Sequence, residues 1–281
     1  MLATNEIKTT LPFCLDSEYL MELAEKYRLA YAQADPFPHI VLDNFLPEPI
    51  LDAVLQEFPQ PNQIDWQQFN NLAEKKLASK SESHMGDMTR FLLYQLNSSI
   101  FIDFLEKLTG IDGLLPDPHF VGGGLHQIQS GGYLKVHVDF NRHERLKLDR
   151  RLNLLIYLNK DWHESYGGCL ELWDRQSKIC HRKIHPFFNR CVIFSTTDFS
   201  YHGHPEPLTC PKDRTRKSLA LYYYSNGRPQ EEVSDEHSTI FCDQNGAITP
   251  DEHLFKSFSG KSLIKKLLPP ILFDILSAAK K

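Results

Sequence analysis

"LNLLIYLNKDWHESYGGCLELW", residues 152–173, places two short apolar runs on either side of a segment rich in Asn, Asp and Gly. Short apolar runs bounded by such turn residues predict a strand, a turn and a second strand. Eight short strands separated by turns favour a sandwich or jelly roll over alternating strand–helix units. Between about Pro118 and Asn226 the eight strand candidates are "HFVGGGLHQI", "YLKVHVD", "LNLLIYL", "GCLELW", "KICHRKIH", "CVIFST", "SYHGH" and "KSLALYYYS".

The sequence on either side of this strand-rich region has a helical pattern. "DSEYLMELAEKYRLAY" repeats apolar residues at helical spacing, with Asp16 or Ser17 as the N-cap. "SSIFIDFLEKLTG" has apolar residues on one helical face and Gly110 at its stop. The prediction is an α+β chain, mainly β, with a core of about eight strands in a double-stranded β-helix (jelly roll). Its regions are a helical N-terminal support over 1–117, the jelly-roll core over 118–228, and an extension with an amphipathic C-terminal helix over 229–281.

Composition narrows the class of protein. The chain has 281 residues and a net charge of −5, which does not indicate a nucleic-acid or anionic-membrane partner. None of the cysteines forms a CxxC pair, which predicts free thiols in a reducing compartment. The N-terminus lacks a basic stretch followed by an apolar run, and no apolar run reaches the ~18 residues of a membrane span. We therefore expect a cytoplasmic protein without a transmembrane segment.

A candidate site begins in "GGYLKVHVDFN", residues 131–141. On a strand, His137 and Asp139 point to the same face. Such a pair is costly inside a barrel unless the two groups bond to each other or to a metal. Downstream, an apolar strand is followed by His202 and His204, and one of them would complete a two-histidine, one-carboxylate set. That set is typical of non-haem Fe(II) oxygenases.

The downstream strand "RTRKSLALYYYS" adds a second kind of group. Arg214 and Arg216 stand at its head, before a strongly apolar run. A buried guanidinium needs a carboxylate or phosphate partner. A dicarboxylate held by the metal at one end and by arginine at the other would provide one. A solvated turn is the ordinary alternative for either arginine.

These features, in this order, resemble the Fe(II)/2-oxoglutarate-dependent dioxygenase superfamily, in its prolyl-hydroxylase-like branch. The resemblance covers residues 118–226 and is carried by HxD, "YLNKDW…GG", the distal histidine and R-x-S-L-x-L-Y-Y. It implies a jelly roll, and it implies that Fe(II) is bound by His137, Asp139 and His202, with His204 as the rival distal ligand. It further implies that Arg216 and Tyr157 hold 2-oxoglutarate. Arg214 is the fallback for the arginine. Gln127 stands where prolyl hydroxylases have a further co-substrate tyrosine.

The activity implied by the resemblance is hydroxylation of an unactivated C–H, with release of succinate and CO2. The implied cofactors are Fe(II), 2-oxoglutarate, O2 and, as a further candidate, ascorbate. A prolyl residue is the nearest substrate analogue, a small molecule is the alternative, and a homodimer is a candidate assembly. The second hypothesis is a non-redox, cupin-like metal or small-molecule binding module, although cupins carry HxH where this chain has HxD. The basic run over 141–151 predicts a solvated loop or a lid that favours an acidic substrate.

Overall fold

The computed structural model describes residues 15–174 and 179–242, and the backbone of residues 248–249. Within these residues, fourteen strands pair into one antiparallel sheet. A strand is present in each of the eight predicted segments. The strands are β1 His39–Asp43, β2 Gln67–Asn70, β3 Glu74–Ala78, β4 Leu115–Pro116, β5 Gly124–Gln129, β6 Tyr133–Val138, β7 Asp149–Tyr157, β8 Leu170–Asp174, β9 Ile179–Ile184, β10 Arg190–Ser195, β11 Tyr201–His204, β12 Thr215–Ser225, β13 Ile240–Cys242 and β14 Ile248–Thr249.

Four α-helices lie in the N-terminal part of the described chain: α1 Ser17–Ala32, α2 Glu48–Gln56, α3 Asp87–Leu96 and α4 Ser99–Thr109. Of the two predicted N-caps, Asp16 and Ser17, the N-cap is Asp16, whose carboxylate accepts a hydrogen bond from the backbone N–H of Tyr19 at 3.0 Å. The predicted stop is Gly110, which has a left-handed backbone after α4. The apolar faces of these helices pack into one core with Leu152, Leu154 and Ile156 of β7. The predicted amphipathic C-terminal helix lies outside the described residues.

The sheet is curled, so that distant strands face each other across an interior. Its order is β1-β10-β7-β12-β5-β3-β6-β11-β8-β9. Three strands separate β7 from β6, yet the side chain of Asn153 on β7 hydrogen-bonds Asp139 just after β6. Because side chains alternate along β7, Asn153, Leu155 and Tyr157 face this interior while their neighbours face the helices.

The β2–β3 hairpin was not indicated by the sequence pattern. Its segment, "QQFNNLAEKKLA", is polar and lacks an apolar alternation. β3 is fixed by pairing with β2 along one edge and with β5 and then β6 along the other, which no local pattern can specify. Residues 1–117 are therefore not only a helical support, since they contribute β1, β2, β3 and β4 to the sheet itself.

The basic run over 141–151 is neither a plain solvated loop nor a simple lid. Its last two arginines, Arg150 and Arg151, belong to β7 and are buried. Arg151 donates to Ser225 Oγ at 3.1 Å, and Arg150 faces the interior described below.

Among the described residues, none of the helices combines the length and apolarity needed to cross a bilayer.

Candidate metal centre

Three side chains of the predicted site converge in the interior of the sheet. His137 and His202 are directly opposite each other on β6 and β11, and Asp139 follows the end of β6. The Asp139 carboxylate lies 3.6 Å from His137 Nε2 and 3.4 Å from His202 Nε2. One donor atom of each residue lies within 4.8 Å of the donor atoms of the other two, an arrangement that could hold a metal ion. The structure thus brings together all three residues expected to bind iron.

Backbone carbonyls fix the orientation of both imidazoles. His137 Nδ1 lies 2.8 Å from the carbonyl oxygen of Lys135, and His202 Nδ1 lies 2.9 Å from that of Ser200. A carbonyl can only accept, so each Nδ1 carries the proton and each Nε2 keeps its lone pair. Both lone pairs are then available beside a carboxylate. This donor set fits a divalent metal such as Fe(II).

A polar network holds Asp139 from the opposite strand. Its Oδ2 accepts a hydrogen bond from Asn153 Nδ2 at 2.7 Å and lies 3.2 Å from Arg150 Nη2. Arg150 also donates to Asn153 Oδ1, from Nε at 3.0 Å and from Nη2 at 2.7 Å. Its guanidinium stacks on the ring of Tyr222, 3.5 Å from the centroid. Asn153 therefore connects the arginine to the carboxylate.

The charge state of Asp139 follows from this network. Burial acts to raise its pKa, but Arg150, His202 and His137 outweigh that effect and hold the pKa well below its usual range. Burial together with the nearby His137 lowers the pKa of His202 to about 4. Without metal, the site therefore holds an ionised carboxylate and a neutral His202 at neutral pH, the forms in which both groups bind metal.

Aromatic rings cover the histidines. The ring of Phe194 on β10 lies 4.8 Å from that of His202, and Phe241 on β13 lies 5.3 Å from that of His137. β13 pairs with β6 so that Phe241 is opposite His137. The two phenyl rings limit the access of water to the imidazoles.

Arg216 and Tyr157 form a second cluster in the same interior. Arg216 is buried, its Nη2 donates to Tyr157 Oη at 3.2 Å, and its Nε donates to the carbonyl oxygen of Gly168 at 2.8 Å. Only glycine fits at 168, where a Cβ would lie 2.9 Å from Arg216 Cδ. Arg214, the fallback, instead donates to the carbonyl oxygens of Lys160 and Asp161. Of the two arginines, the one beside Tyr157 is Arg216.

Gln127 is not brought to this cluster. It pairs with Lys217 between β5 and β12, so it faces the opposite side of the sheet from Arg216. Its Nε2 donates to the carbonyl oxygen of Pro59 at 3.1 Å, on the side where the helices lie. Its neighbours on β5, His126 and Ile128, face the interior, and Ile128 is the one paired with Arg216. The assignment of Gln127 to the co-substrate site did not account for the alternation of faces along β5.

Two residues of the site, Asn153 and Arg150, were missed by the sequence reasoning. A signal for Asn153 was present: it is a polar residue in the apolar run "LNLLIYL", and its spacing from Tyr157 puts both side chains on the same face of a strand. Arg150 had no comparable signal, because it follows a charged stretch and looks like part of a loop.

Residues 123–224 match the 2OG-Fe(II) oxygenase superfamily. The chain is 24% identical over 201 residues to Prolyl 3-hydroxylase OGFOD1 of Mus musculus, a match that covers 68% of this chain and 33% of that protein. The chain thus spans about a third of the length of this curated relative.

Solved structures of prolyl hydroxylases share the fold. A Pseudomonas putida prolyl-4-hydroxylase superposes with a TM-score of 0.51 at 15% identity, covering 74% of this chain and 100% of that one. A Trichoplax adhaerens prolyl hydroxylase, in complex with a hypoxia inducible factor peptide fragment, gives 0.51 at 16% identity, covering 74% and 91%. At these identities the likeness establishes a common fold.

Proposed function

We propose that this chain, whose residues 123–224 match the 2OG-Fe(II) oxygenase superfamily, is an iron- and 2-oxoglutarate-dependent hydroxylase of prolyl-hydroxylase-like type. The observation that carries the proposal is the convergence of His137, Asp139 and His202 on one point of the interior. A buried arginine in the same interior, Arg216, supplies the complementary charge for a dicarboxylate.

In this proposal His137 Nε2, an oxygen of Asp139 and His202 Nε2 hold the iron. When bound, iron with 2-oxoglutarate and O2 supplies the hydroxylation of an unactivated C–H, with succinate and CO2 as products. The protein orients the groups around that chemistry. The Asn153 amide and the Arg150 guanidinium hold Asp139, and Arg216 with Tyr157 binds the far carboxylate of the co-substrate.

The substrate proposed first is a prolyl residue in a peptide, because OGFOD1 and the two solved relatives are prolyl hydroxylases by name. A small molecule is the second candidate, since the enclosed interior does not by itself select a peptide. The finer fold proposal is that the curled sheet is a double-stranded β-helix, with regions bounded at 117 and 228. Ascorbate dependence, a cytoplasmic location and a homodimer remain predictions that go with this function.

The alternative is the non-redox, cupin-like binding module. It would use the same three side chains for a metal, but it gives no reason for Arg216 to be buried next to Tyr157. The oxygenase proposal accounts for both clusters together.

Turnover of 2-oxoglutarate tests the proposal. The Fe(II)-loaded protein is incubated in air with 2-oxoglutarate and, in separate reactions, prolyl peptides, free amino acids or cell extract. Succinate and substrates heavier by one oxygen atom are then followed by mass spectrometry. The proposal predicts succinate formation that is lost in His137→Ala. Metal binding without succinate from any substrate would favour the binding module.

A further inference from the structure

His204, the rival distal ligand, has no role in the cluster of His137, Asp139 and His202, yet it faces the same interior. It lies two residues beyond His202 on β11, and the pairing of β11 with β6 shifts register between the two histidines. Gly203 is opposite Glu171 on β8. Residue 204 therefore lies close to the start of β8, where Arg216 donates to Gly168. Along β11, His204 is thus the next inward position from the metal ligand toward Arg216.

The imidazole of His204 is buried without a hydrogen-bond partner. It is 4% exposed, and neither Nδ1 nor Nε2 has a partner among the described residues. The Nδ1 atoms of His137 and His202 both bond to carbonyls. A buried polar group without a partner is costly, so native structures nearly always provide one. The His204 ring therefore needs a partner that enters from the interior.

The charges around His204 indicate the chemistry of that partner. Lys76, on β3, is paired with Glu74 at 3.0 Å. Arg216 is different: in the described part of the chain its hydrogen bonds go to the neutral Gly168 carbonyl and Tyr157 hydroxyl. A buried guanidinium without a carboxylate, in the same interior as a ring with an unused N–H, suits an anion with several acceptor oxygens.

We propose that His204 is a further binding residue for the dicarboxylate co-substrate, donating its ring N–H to a carboxylate oxygen held by Arg216 and Tyr157. The inference rests on the proposed function and adds a third protein group to the co-substrate site. It assigns His204 to the co-substrate and His202 to the metal, although both histidines come from one short motif.

The test measures binding rather than turnover. Protein loaded with Mn(II), as a stand-in for Fe(II), is titrated calorimetrically with 2-oxoglutarate without a second substrate. His204→Phe removes both ring nitrogens and keeps a buried aromatic ring. We expect a Kd for 2-oxoglutarate about 10- to 100-fold weaker than in the wild type, as for a lost hydrogen bond to a charged group. The Kd for Mn(II) itself should change by less than about threefold.

His39→Phe is the matched control, because His39 is also a buried histidine of the sheet, and its Nδ1 bonds to the Phe37 carbonyl. This variant should bind 2-oxoglutarate like the wild type. If His204→Phe fails to fold, His204→Leu removes the same nitrogens with less volume and carries the same prediction.

Three results would overturn the inference. Wild-type affinity for 2-oxoglutarate in the His204 variants would show that the ring makes no such bond. Loss of Mn(II) in these variants, to the extent seen in His202→Ala, would make His204 a metal ligand instead. A wild-type protein that binds Mn(II) but not 2-oxoglutarate would contradict the proposed function as well as the role of His204. A wild-type protein that binds both, with unchanged affinity in the His204 variants, would contradict the role of His204 alone.

Discussion

Replacing Asn153 with leucine should weaken metal binding although Asn153 is not a metal ligand. The substitution keeps the approximate shape and removes three hydrogen bonds: one to Asp139 Oδ2 at 2.7 Å and two from Arg150 at 3.0 and 2.7 Å. Arg150 keeps its 3.2 Å contact with Asp139 and would then compete with the metal for that carboxylate. Partners that orient metal ligands are typically worth about 10- to 100-fold in metal affinity. We expect a loss of that size.

The same change should lower the free energy of unfolding of the metal-free protein by about 1–3 kcal/mol, because it breaks a buried network and leaves arginine donors unpaired. Urea unfolding measures this loss, and competition with a chromophoric chelator measures the Kd of the metal. The matched control is Leu154→Ala, on the same strand but facing the helices, with an expected cost of about 2–5 kcal/mol. It should leave the Kd of the metal unchanged. Wild-type metal affinity in Asn153→Leu, or an equal loss in Leu154→Ala, would refute the role given to this network.

Two further predictions concern other parts of the chain. Arg216→Leu should weaken 2-oxoglutarate binding about 100-fold and leave the Kd of the metal unchanged, whereas Arg214→Leu should weaken 2-oxoglutarate binding less than about threefold. Calorimetry on Mn(II)-loaded protein measures both variants. Equal effects would contradict the assignment of Arg216 as the co-substrate arginine. His237 Nε2 lies 3.0 Å from Asp198 Oδ1. Burial acts to lower the pKa of His237, but the bond to Asp198 outweighs it and raises the pKa, while that same bond lowers the pKa of Asp198. The stability from the histidine is fully present below its unfolded pKa of about 6.5 and is lost as pH rises through the raised value. His237→Asn should therefore destabilise the protein by about 1 kcal/mol at pH 5.5 and by less at pH 9 in urea unfolding, and an equal or larger loss at pH 9 would contradict the pairing.

Sequence patterns predicted the parts of the fold that depend on local order. Apolar runs and turn residues located the eight segments, and the same-face spacing of His137 and Asp139 is a property of any strand. What could not be predicted depends on pairing between distant segments. The polar strand β3 exists because β5 and β6 pair with it, and Gln127 faces the helices because of its position along β5. The choice between His202 and His204 also needed the fold, since both have the same parity and only His202 lies opposite His137.

The most direct test of the central claim is one anaerobic titration. Fe(II) is added to the protein, followed by 2-oxoglutarate, and the visible spectrum is recorded for the wild type and for His137→Ala. We predict one Fe(II) per chain and a weak charge-transfer band that forms only when the 2-oxo acid is added and is missing in the variant. Stoichiometric iron binding with no such band would contradict coordination of the co-substrate beside His137, Asp139 and His202.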